Sequence, residues 1–201
     1  MTRPGEDTRA RLREIARDLY LDSGLAGFSL REVARRAGVS APAVYRHFDS
    51  KAALLADVCA EGFRIFASYL VRSLEASSPK ERLSKATELY LRFGLEHPVD
   101  YRVIFMGAET LEGTEERDPA SSPTFRFLVD RVEECIRAKV LRRGDSVRIA
   151  TTIWAHVHGL TSLRIGGQLG AIGDEEAFAR FYQSSVDHLL AGLAPSASAK
   201  E

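Results

Sequence analysis

The sequence predicts an all-α protein of about nine helices, and three observations support this prediction. Apolar residues recur at helical spacing (i, i+3, i+4, i+7) in one segment after another. No stretch alternates apolar and polar residues for long enough to predict a strand. The helical segments begin at Ser, Asp or Pro and end at Gly or just before Pro, which are typical residues for helix ends. The 201 residues, 45% hydrophobic and 28% charged, have the composition of a globular protein.

The first two predicted helices are marked by an apolar stripe and by end signals. The stripe of the first helix consists of Leu12, Ile15, Ala16, Leu19 and Tyr20. Gly24 follows as a residue that commonly ends a helix in the left-handed conformation. Ser29 and Glu32 have the spacing of a capping box, and Phe28 and Val33 can pack across the same helix start as a hydrophobic staple. We therefore expect the second helix to begin after Ser29.

Similar signals place the later helices. Ser40 is expected to cap the third helix, with Pro42 in its first turn, where a missing N–H costs nothing. The other predicted helices run from Asp49-Ser50 to about Leu74, from the Ser78–Glu81 capping box to Pro98, over about 99–107, from Ser122 to about Arg143, from Asp145 to about Ile165 and from Asp174 to Leu193. Residues 108–121 are expected to form an exposed acidic loop, and residues 194–201 a disordered tail.

Composition and charge exclude several classes of protein. No apolar run approaches the 18 residues of a membrane span, and Met1–Arg13 lacks the apolar segment of a signal peptide. Cys59 and Cys135 have no partner motif, so we expect buried free thiols in a soluble protein of the reducing cytoplasm. The whole chain has 28 basic and 28 acidic residues, but residues 1–51 contain ten basic and seven acidic ones. A basic N-terminal segment of this kind favours a polyanionic partner.

The most informative segment is LREVARRAGVSAPAVYRHF, residues 30–48. It predicts two short helices that meet at Gly38, which can adopt the positive φ of a sharp turn. The apolar residues that should face inward are Val33, Ala34, Ala37, Val39 and Val44. This is the arrangement of a helix-turn-helix, whose second helix enters the major groove of DNA by its N-terminal turn. A generic pair of bundle helices can have the same small-residue spacing, so these residues alone leave both interpretations open.

The residues that follow are more specific. Tyr45 is followed by His47-Phe48 and then by Lys51 at the start of the long fourth helix. With these residues, the chain from Thr8 to about Gly62 resembles the TetR family of bacterial transcriptional repressors. The resemblance implies two partners, a double-stranded operator and a second copy of the chain. It also implies a DNA-binding domain over residues 8–62, with its helix-turn-helix at about 30–48, and an effector-binding and dimerisation domain over residues 63–193.

The DNA contacts of the family fall on matching positions of this sequence. The implied contact residues are Ser29, Arg31, Ser40, Ala41, Pro42, Ala43, Tyr45, Arg46, His47 and Lys51. Ser29 and Arg31 should meet phosphate, because helix N-termini favour anions. The Ala-Pro-Ala turn at 41–43 departs from a common pattern that has a polar residue there, and it can contact only apolar groups such as thymine methyls. Arg46 is then the only long side chain of this helix that can reach guanine.

Several residues of the head allow two interpretations. Tyr45 and Phe48 fit core packing as well as DNA contact. We assign Phe48 to the core, and we assign Tyr45 to the DNA backbone. Arg35 and Arg36 fit a solvated helix face better than they fit base recognition.

The second domain has its own resemblance. WAHVHGLTSL at 154–163 and EHPVDYRVIFMG at 96–107 resemble one effector-domain subgroup of the TetR family, named for its Trp-His-Gly signature. The resemblance implies an unidentified apolar or amphipathic small-molecule effector, with candidate contacts at Phe66, Tyr69, Tyr90, Phe93, Tyr101, Phe105, Phe125, Leu128, Trp154 and His158. It implies a dimer interface on the last two long helices, with candidates Ile153, Val157, Leu160, Val186, Leu189 and Leu190. The same residues also suit the core of a single chain.

An enzyme is the main competing class. The sequence has no Gly-rich phosphate loop, no Gly-x-Ser-x-Gly and no HExxH, and it predicts no cofactor. His156 and His158 are two positions apart on a helix and point in different directions, so we expect no metal site there.

An activator or dual regulator of the same fold also fits the sequence, and so does an interaction protein with a vestigial DNA-binding head. An activator differs from a repressor in where its operator lies, which the chain does not encode.

Overall fold

The computed structural model describes residues 4–106 and 122–195, and this part of the chain folds into nine α-helices without a strand. The all-α prediction is therefore confirmed. The predicted acidic loop at 108–121 and all but the first two residues of the predicted tail at 194–201 lie outside the described residues. Within the described ranges, no helix is both long and apolar enough to cross a membrane.

The helices follow the predicted order. They are α1 (Pro4–Gly27), α2 (Leu30–Ala37), α3 (Ala41–Tyr45), α4 (Lys51–Leu70), α5 (Pro79–Glu96), α6 (Pro98–Tyr101), α7 (Pro123–Arg137), α8 (Ser146–Ile165) and α9 (Glu175–Gly192). Short 3-10 helices cover Val71–Glu75 and Gly170–Ile172, and a π-helical turn at Arg102–Met106 continues α6. α1 is interrupted at Gly24, where φ is 62°, as its end signal predicts.

The described chain forms two compact units. The first contains the residues up to Ile65 together with those from His97 to Met106, and the second contains Phe66–Glu96 and the residues from Ser122 onward. The predicted boundary after residue 62 assigned His97–Met106 to the second domain. In the structure these residues belong to the first unit, because Val103 joins its apolar core and Ile104 packs against that core.

The first unit is built on a continuous apolar core that fixes α2 and α3. Its residues, all at most 6% exposed, are Leu12, Ala16, Leu19, Phe28, Leu30, Val33, Ala34, Ala37, Val44, Phe48, Leu54, Leu55, Val58 and Val103. Burying one large apolar side chain stabilises a fold by about 1.5–3 kcal/mol relative to leaving it exposed. Phe48 is 2% exposed, so its assignment to the core is confirmed.

Ion pairs join α1 to α4 and to α6 within the first unit. Arg13 on α1 contacts Asp57 at 2.9 Å and Glu61 at 2.8 Å on α4. Arg17 contacts Asp100 of α6 at 3.2 Å, and the Asp100 side chain is only 9% exposed. A largely buried carboxylate needs such a partner, because leaving it unpaired is strongly destabilising. The periodicity of α1 does not predict these pairs, since their partners are distant in the sequence.

The second unit packs α5 against α7 and α8, and α8 against α9. The Tyr182 hydroxyl of α9 donates to the Thr87 carbonyl oxygen of α5 at 2.8 Å. At the start of α5, the Glu81 N–H donates to Ser78 Oγ at 3.2 Å and the Ser78 N–H donates to Glu81 Oε2 at 3.1 Å. The capping box predicted for this helix is therefore confirmed in both directions.

Two predictions about the rest of the chain are wrong. α7 ends at Arg137 rather than near Arg143, because Lys139 has a φ of +58° and leaves the helical conformation. The N–H groups of Val140 and Leu141 bond back to the Cys135 carbonyl oxygen at 2.9 and 3.2 Å, which closes the helix end. Cys135 is buried as predicted, whereas Cys59 is only partly buried.

Candidate nucleic-acid interface

α2 and α3 form the predicted helix-turn-helix. Gly38, with φ 66° and ψ 31°, makes the turn, and its N–H donates to the Arg35 carbonyl oxygen at 3.2 Å. Val33 of α2 and Val44 of α3 are both fully buried where the two helices meet. A side chain at Gly38 would strain the left-handed backbone, so glycine fixes the direction in which α3 leaves α2.

The N-terminus of α2 is capped by Ser29 alone. Ser29 Oγ accepts a hydrogen bond from the Glu32 N–H at 3.2 Å. The Glu32 carboxylate accepts from Arg35 and Arg36, and among the described residues it makes no bond to the Ser29 N–H. This half of the predicted capping box is therefore wrong. A charged guanidinium is the stronger donor and outcompetes the backbone amide for the carboxylate.

Seven residues predicted to touch DNA lie on α3 or next to it, and they differ in exposure. Ser40, Pro42, Tyr45 and Arg46 are exposed, and Ala41, Ala43 and His47 are partly buried. Tyr45 is 53% exposed. Ser40 occupies the N-cap position, but its carbonyl oxygen makes the capping bond, to the Ala43 N–H at 2.9 Å, and its hydroxyl makes none. The side-chain cap predicted for Ser40 is wrong, and this hydroxyl stays available to an external partner.

Lys51, the first residue of α4, also bonds within the protein. Its Nζ donates to the Leu25 carbonyl oxygen and lies 5.6 Å from the centroid of the Phe28 ring. An ammonium group has three N–H donors, so two remain for a phosphate. Lys51 thus ties the end of α1 to the start of α4, a role that its sequence position does not predict.

Two arginines of α2 are held by carboxylates. Arg35 donates to both oxygens of Glu32, at 2.7 and 2.6 Å. Arg36 donates to Glu32 at 3.1 Å and to Asp22 of α1 at 3.2 Å. The hydrogen bonds from Arg35 and Arg36 lower the pKa of Glu32 to about 2, so its carboxylate is ionised at any neutral pH.

Arg31 and Arg46 differ from this pair. In the described part of the chain, neither makes a hydrogen bond or an ion pair with another side chain. Arg31 lies in the first turn of α2, and Arg46 directly follows α3. Free guanidinium groups at these positions can bind phosphate or the O6 and N7 acceptors of guanine.

Seven of the ten predicted effector contacts form one chain of neighbouring rings in the second unit. In order, the chain contains Tyr69, Phe93, Phe66, Tyr90, His158, Trp154 and Phe125. The ring centroids are 5.0 to 5.8 Å apart, except at the step where the Tyr90 hydroxyl hydrogen-bonds His158 Nδ1 at 3.0 Å. Burial lowers the pKa of His158, which favours the neutral ring.

The other three candidates lie outside this chain of rings. Tyr101 and Phe105 pack together at 5.1 Å in the first unit, where Phe105 also meets Phe63 at 6.0 Å. Leu128 is partly buried on α7. Thr161, which was not predicted, lies one turn after His158 on α8. Its hydroxyl is fully buried and has no hydrogen-bond partner among the residues that the structure describes. Such an orphaned hydroxyl is unusual and can bond to a bound molecule.

His156 and His158 engage different elements. His156 Nε2 lies 3.0 Å from Ser185 Oγ of α9, whereas His158 bonds Tyr90 of α5. Over the described ranges, no three His, Cys, Asp or Glu side chains are grouped so that they could hold a metal ion.

Two family models match this chain. Residues 12–58 match the one described as bacterial regulatory proteins, tetR family. Residues 83–189 match the one described as tetracyclin repressor-like, C-terminal domain, which covers more than half of the sequence. The chain belongs to the TetR family. Its Trp-His-Gly subgroup stays a prediction.

One curated protein and two solved structures illustrate what this TetR-family chain is similar to. The HTH-type transcriptional activator FasR of Mycolicibacterium smegmatis is 33% identical over 104 residues, 51% of this chain and 47% of that protein. The chain thus matches about half the length of this relative. A protein of unknown function from Rhodococcus sp. RHA1 is 28% identical, with a TM-score of 0.76 over 94% of this chain and 96% of that one. A TetR family regulator from Marinobacter aquaeolei VT8, 16% identical, shares the fold with a TM-score of 0.73 over 95% and 97%.

The predicted dimer residues of this TetR-family chain divide by burial. Ile153, Val157 and Val186 are at most 2% exposed, so they pack inside the chain and offer no surface to a second copy. Leu190 is 9% exposed, and Leu160 and Leu189 are partly buried. The prediction failed for the fully buried residues because the periodicity marks the apolar side of each helix and not the neighbour that covers it.

Proposed function

We propose that this protein is a homodimeric, ligand-responsive repressor that binds a pseudo-palindromic operator on the chromosome in the cytoplasm. The observation that carries the DNA-binding part is the exposed end of the helix-turn-helix. It presents a tyrosine that is 53% exposed and two arginines, Arg31 and Arg46, that have no partner in the described ranges. A large exposed ring beside free cations is the composition of a surface that a polyanion covers.

Each contact residue has a chemical role in this proposal. Ser29 and Arg31 bind phosphate at the start of α2, and Tyr45, His47 and Lys51 bind phosphate around α3. Ser40 supplies a hydroxyl, and the Ala41–Ala43 turn supplies apolar contacts to thymine methyls. Arg46 reads guanine, so it is the residue on which base preference depends most.

Selection of duplexes from a random library tests this assignment. The wild-type protein should enrich an inverted repeat, and its affinity should fall steeply with salt. Arg46→Ala should cost about 1–3 kcal/mol at one base pair and flatten the preference there. Tyr45→Phe should weaken all duplexes about equally. An unchanged preference profile in the Arg46 variant would make Arg46 a backbone contact and leave specificity to methyl contacts and DNA shape.

The dimer part of the proposal is supported by the outer sides of α8 and α9. α8 contains only two charged residues in twenty, Arg148 and Arg164. Its exposed or partly buried positions include Thr151, Ala155 and Gly159. Phe181 of α9 is 41% exposed. A depletion of charge together with exposed apolar groups is typical of the centre of an interface.

The chain of rings in the second unit supports an apolar or amphipathic effector. Aromatic walls with few polar groups are typical of small-molecule sites, and the Tyr90–His158 pair and the Thr161 hydroxyl supply those polar groups. An effector that weakens operator binding must itself bind more weakly to the operator complex, by the same factor. Affinity of a screened ligand, measured with and without saturating operator, tests this. Equal affinities would show that the ligand site is not regulatory.

An activator is the second candidate function, and one observation favours it. The relative that is 33% identical over 104 residues is named a transcriptional activator. Transcription in vitro from a promoter that carries the selected operator distinguishes the two, because a repressor lowers and an activator raises transcript yield.

A further inference from the structure

We propose that Glu32 withholds Arg35 and Arg36 from the DNA backbone and so lowers the sequence-independent part of the protein's DNA affinity. The inference rests on the DNA contacts proposed above. It concerns residues that those contacts leave unused. It makes Glu32 a positioning residue that sets how many arginines are free to bind phosphate.

The position of α2 gives the first argument. In a helix-turn-helix, the first helix crosses the sugar-phosphate backbone while the second enters the groove. The side chains of Arg35 and Arg36 are 71% and 36% exposed on this helix. Long exposed guanidinium groups on a helix that crosses the backbone would ordinarily bind phosphate.

The geometry of the pairing gives the second argument. Arg35 donates two parallel bonds, 2.7 and 2.6 Å long, to the two oxygens of Glu32. This two-oxygen edge is the same one that a phosphate presents to arginine. Glu32 therefore occupies the guanidinium edge that a phosphate would use, and Arg36 is held both by Glu32 and by Asp22.

The charges give the third argument. Glu32 and Asp22 cancel Arg35 and Arg36. Of the four arginines at 30–46, only Arg31 and Arg46 are then without a partner in the described chain. Non-specific binding comes almost entirely from neutralised phosphates, whereas base recognition does not. The pairing therefore weakens binding to every duplex by about the same factor and leaves base preference unchanged.

Salt-dependent binding to a fluorescent duplex of arbitrary sequence, about three helical turns long, tests the inference. Each extra phosphate contact steepens the slope of log affinity against log salt by about 0.9. Glu32→Gln frees Arg35, so affinity should rise about eightfold at 0.1 M salt. Glu32→Gln with Asp22→Asn frees both arginines, and affinity should rise about sixtyfold with a slope steeper by about 1.8. The ratio of operator affinity to arbitrary-duplex affinity should stay the same, because phosphate contacts carry no base information.

Two controls separate this effect from a general loss of negative charge. Glu14 is an exposed carboxylate of α1 without a partner in the described ranges, so Glu14→Gln removes the same charge and should leave the slope unchanged. Adding Arg35→Gln and Arg36→Gln to Glu32→Gln should return affinity and slope to the wild-type values. Glu32→Ala repeats the test without an amide, and urea unfolding of each variant verifies that it is folded.

The outcomes are distinct. An unchanged slope in folded Glu32→Gln and Glu32→Ala would overturn the inference, and so would a gain that persists after both arginines are removed. If the wild-type protein itself binds no duplex in a salt-dependent way, the DNA interface proposed above fails first. A wild-type protein that binds, with variants that do not differ from it, overturns only the role of Glu32.

Discussion

At the scale of single residues, Ser29 and Ser40 occupy equivalent N-cap positions but only Ser29 uses its hydroxyl there. Ser29→Ala should therefore lower the free energy of unfolding by about 0.5–2 kcal/mol, the usual cost of a lost side-chain cap. Ser40→Ala should cost clearly less, because no capping bond is lost. Urea unfolding of the two variants measures the difference. Equal losses would contradict the hydrogen-bond assignment at both helix starts.

A second residue, His158, should make stability depend on pH. Burial lowers its pKa in the folded state below the ordinary value of 6.5. The unfolded chain then binds a proton at a higher pH than the folded chain does. The contribution of neutral His158 to the free energy of unfolding is therefore complete above about pH 6.5. This contribution is lost as the pH falls toward the lower pKa of His158 in the folded state. Removing the titrating group should remove this loss.

Free energies of unfolding of wild type and His158→Gln, measured at a series of pH values, test this dependence. The two curves should converge as the pH falls below about 6.5, since only the wild type has this histidine to protonate. His188 is exposed on α9, so His188→Gln is the control for replacing a histidine by glutamine. Parallel curves for wild type and His158→Gln would show that the burial of His158 does not affect its titration.

At the scale of elements, Gly62 of α4 lies directly against Ile104 in the turn that continues α6. A Cβ placed at Gly62 would lie 2.7 Å from Ile104 Cγ2, well inside van der Waals contact. Gly62→Ala should therefore destabilise the protein by about 1–3 kcal/mol through overpacking. Ile104→Ala removes the atom that clashes, so the double variant should be more stable than the two separate losses predict. Strict additivity in this cycle would show that the two elements do not press on each other.

The same elements show what could be predicted from the sequence. Local capping signals succeeded at one helix start and failed at another. The Ser78–Glu81 box forms in full, whereas in the Ser29–Glu32 box the Glu32 carboxylate is taken by arginines three and four residues on. The helix-turn-helix could be predicted because Gly38 and the small inward residues define it within twenty positions.

Long-range packing could not be predicted. Nothing near Val103 indicates that it joins the core of the first unit, because its neighbours there come from residues about 45 or more positions earlier. The end of α7 was missed for a related reason. Lys139 takes up a left-handed conformation, which a lysine does not signal, and the chain beyond it is held by the bond from the Arg142 N–H to the Leu193 carbonyl oxygen.

At the scale of the whole molecule, the proposed dimer depends on the outer sides of α8 and α9. Ala155→Glu and Phe181→Glu place a charge on exposed positions of these helices, so both should yield folded monomers in sedimentation experiments. Leu74→Glu is the matched control, because Leu74 is a 48% exposed apolar residue of the same unit on a different element. Dimers that persist in both variants, or monomers produced by Leu74→Glu as well, would place the interface elsewhere.

Cys135 gives the intact protein a chemical reporter of its own opening. Its side chain is fully buried, its Sγ donates to the Pro79 carbonyl oxygen at 3.2 Å, and burial raises its pKa to about 11. Alkylating reagents attack the thiolate, so Cys135 can be modified only when the second unit opens locally and the thiol meets water. Cys59 lies on α4 of the first unit and is already partly exposed in the folded state. Its alkylation rate therefore starts from a more accessible thiol than that of Cys135. The two alkylation rates, followed by mass spectrometry in one sample, therefore report local opening of the first and the second unit separately.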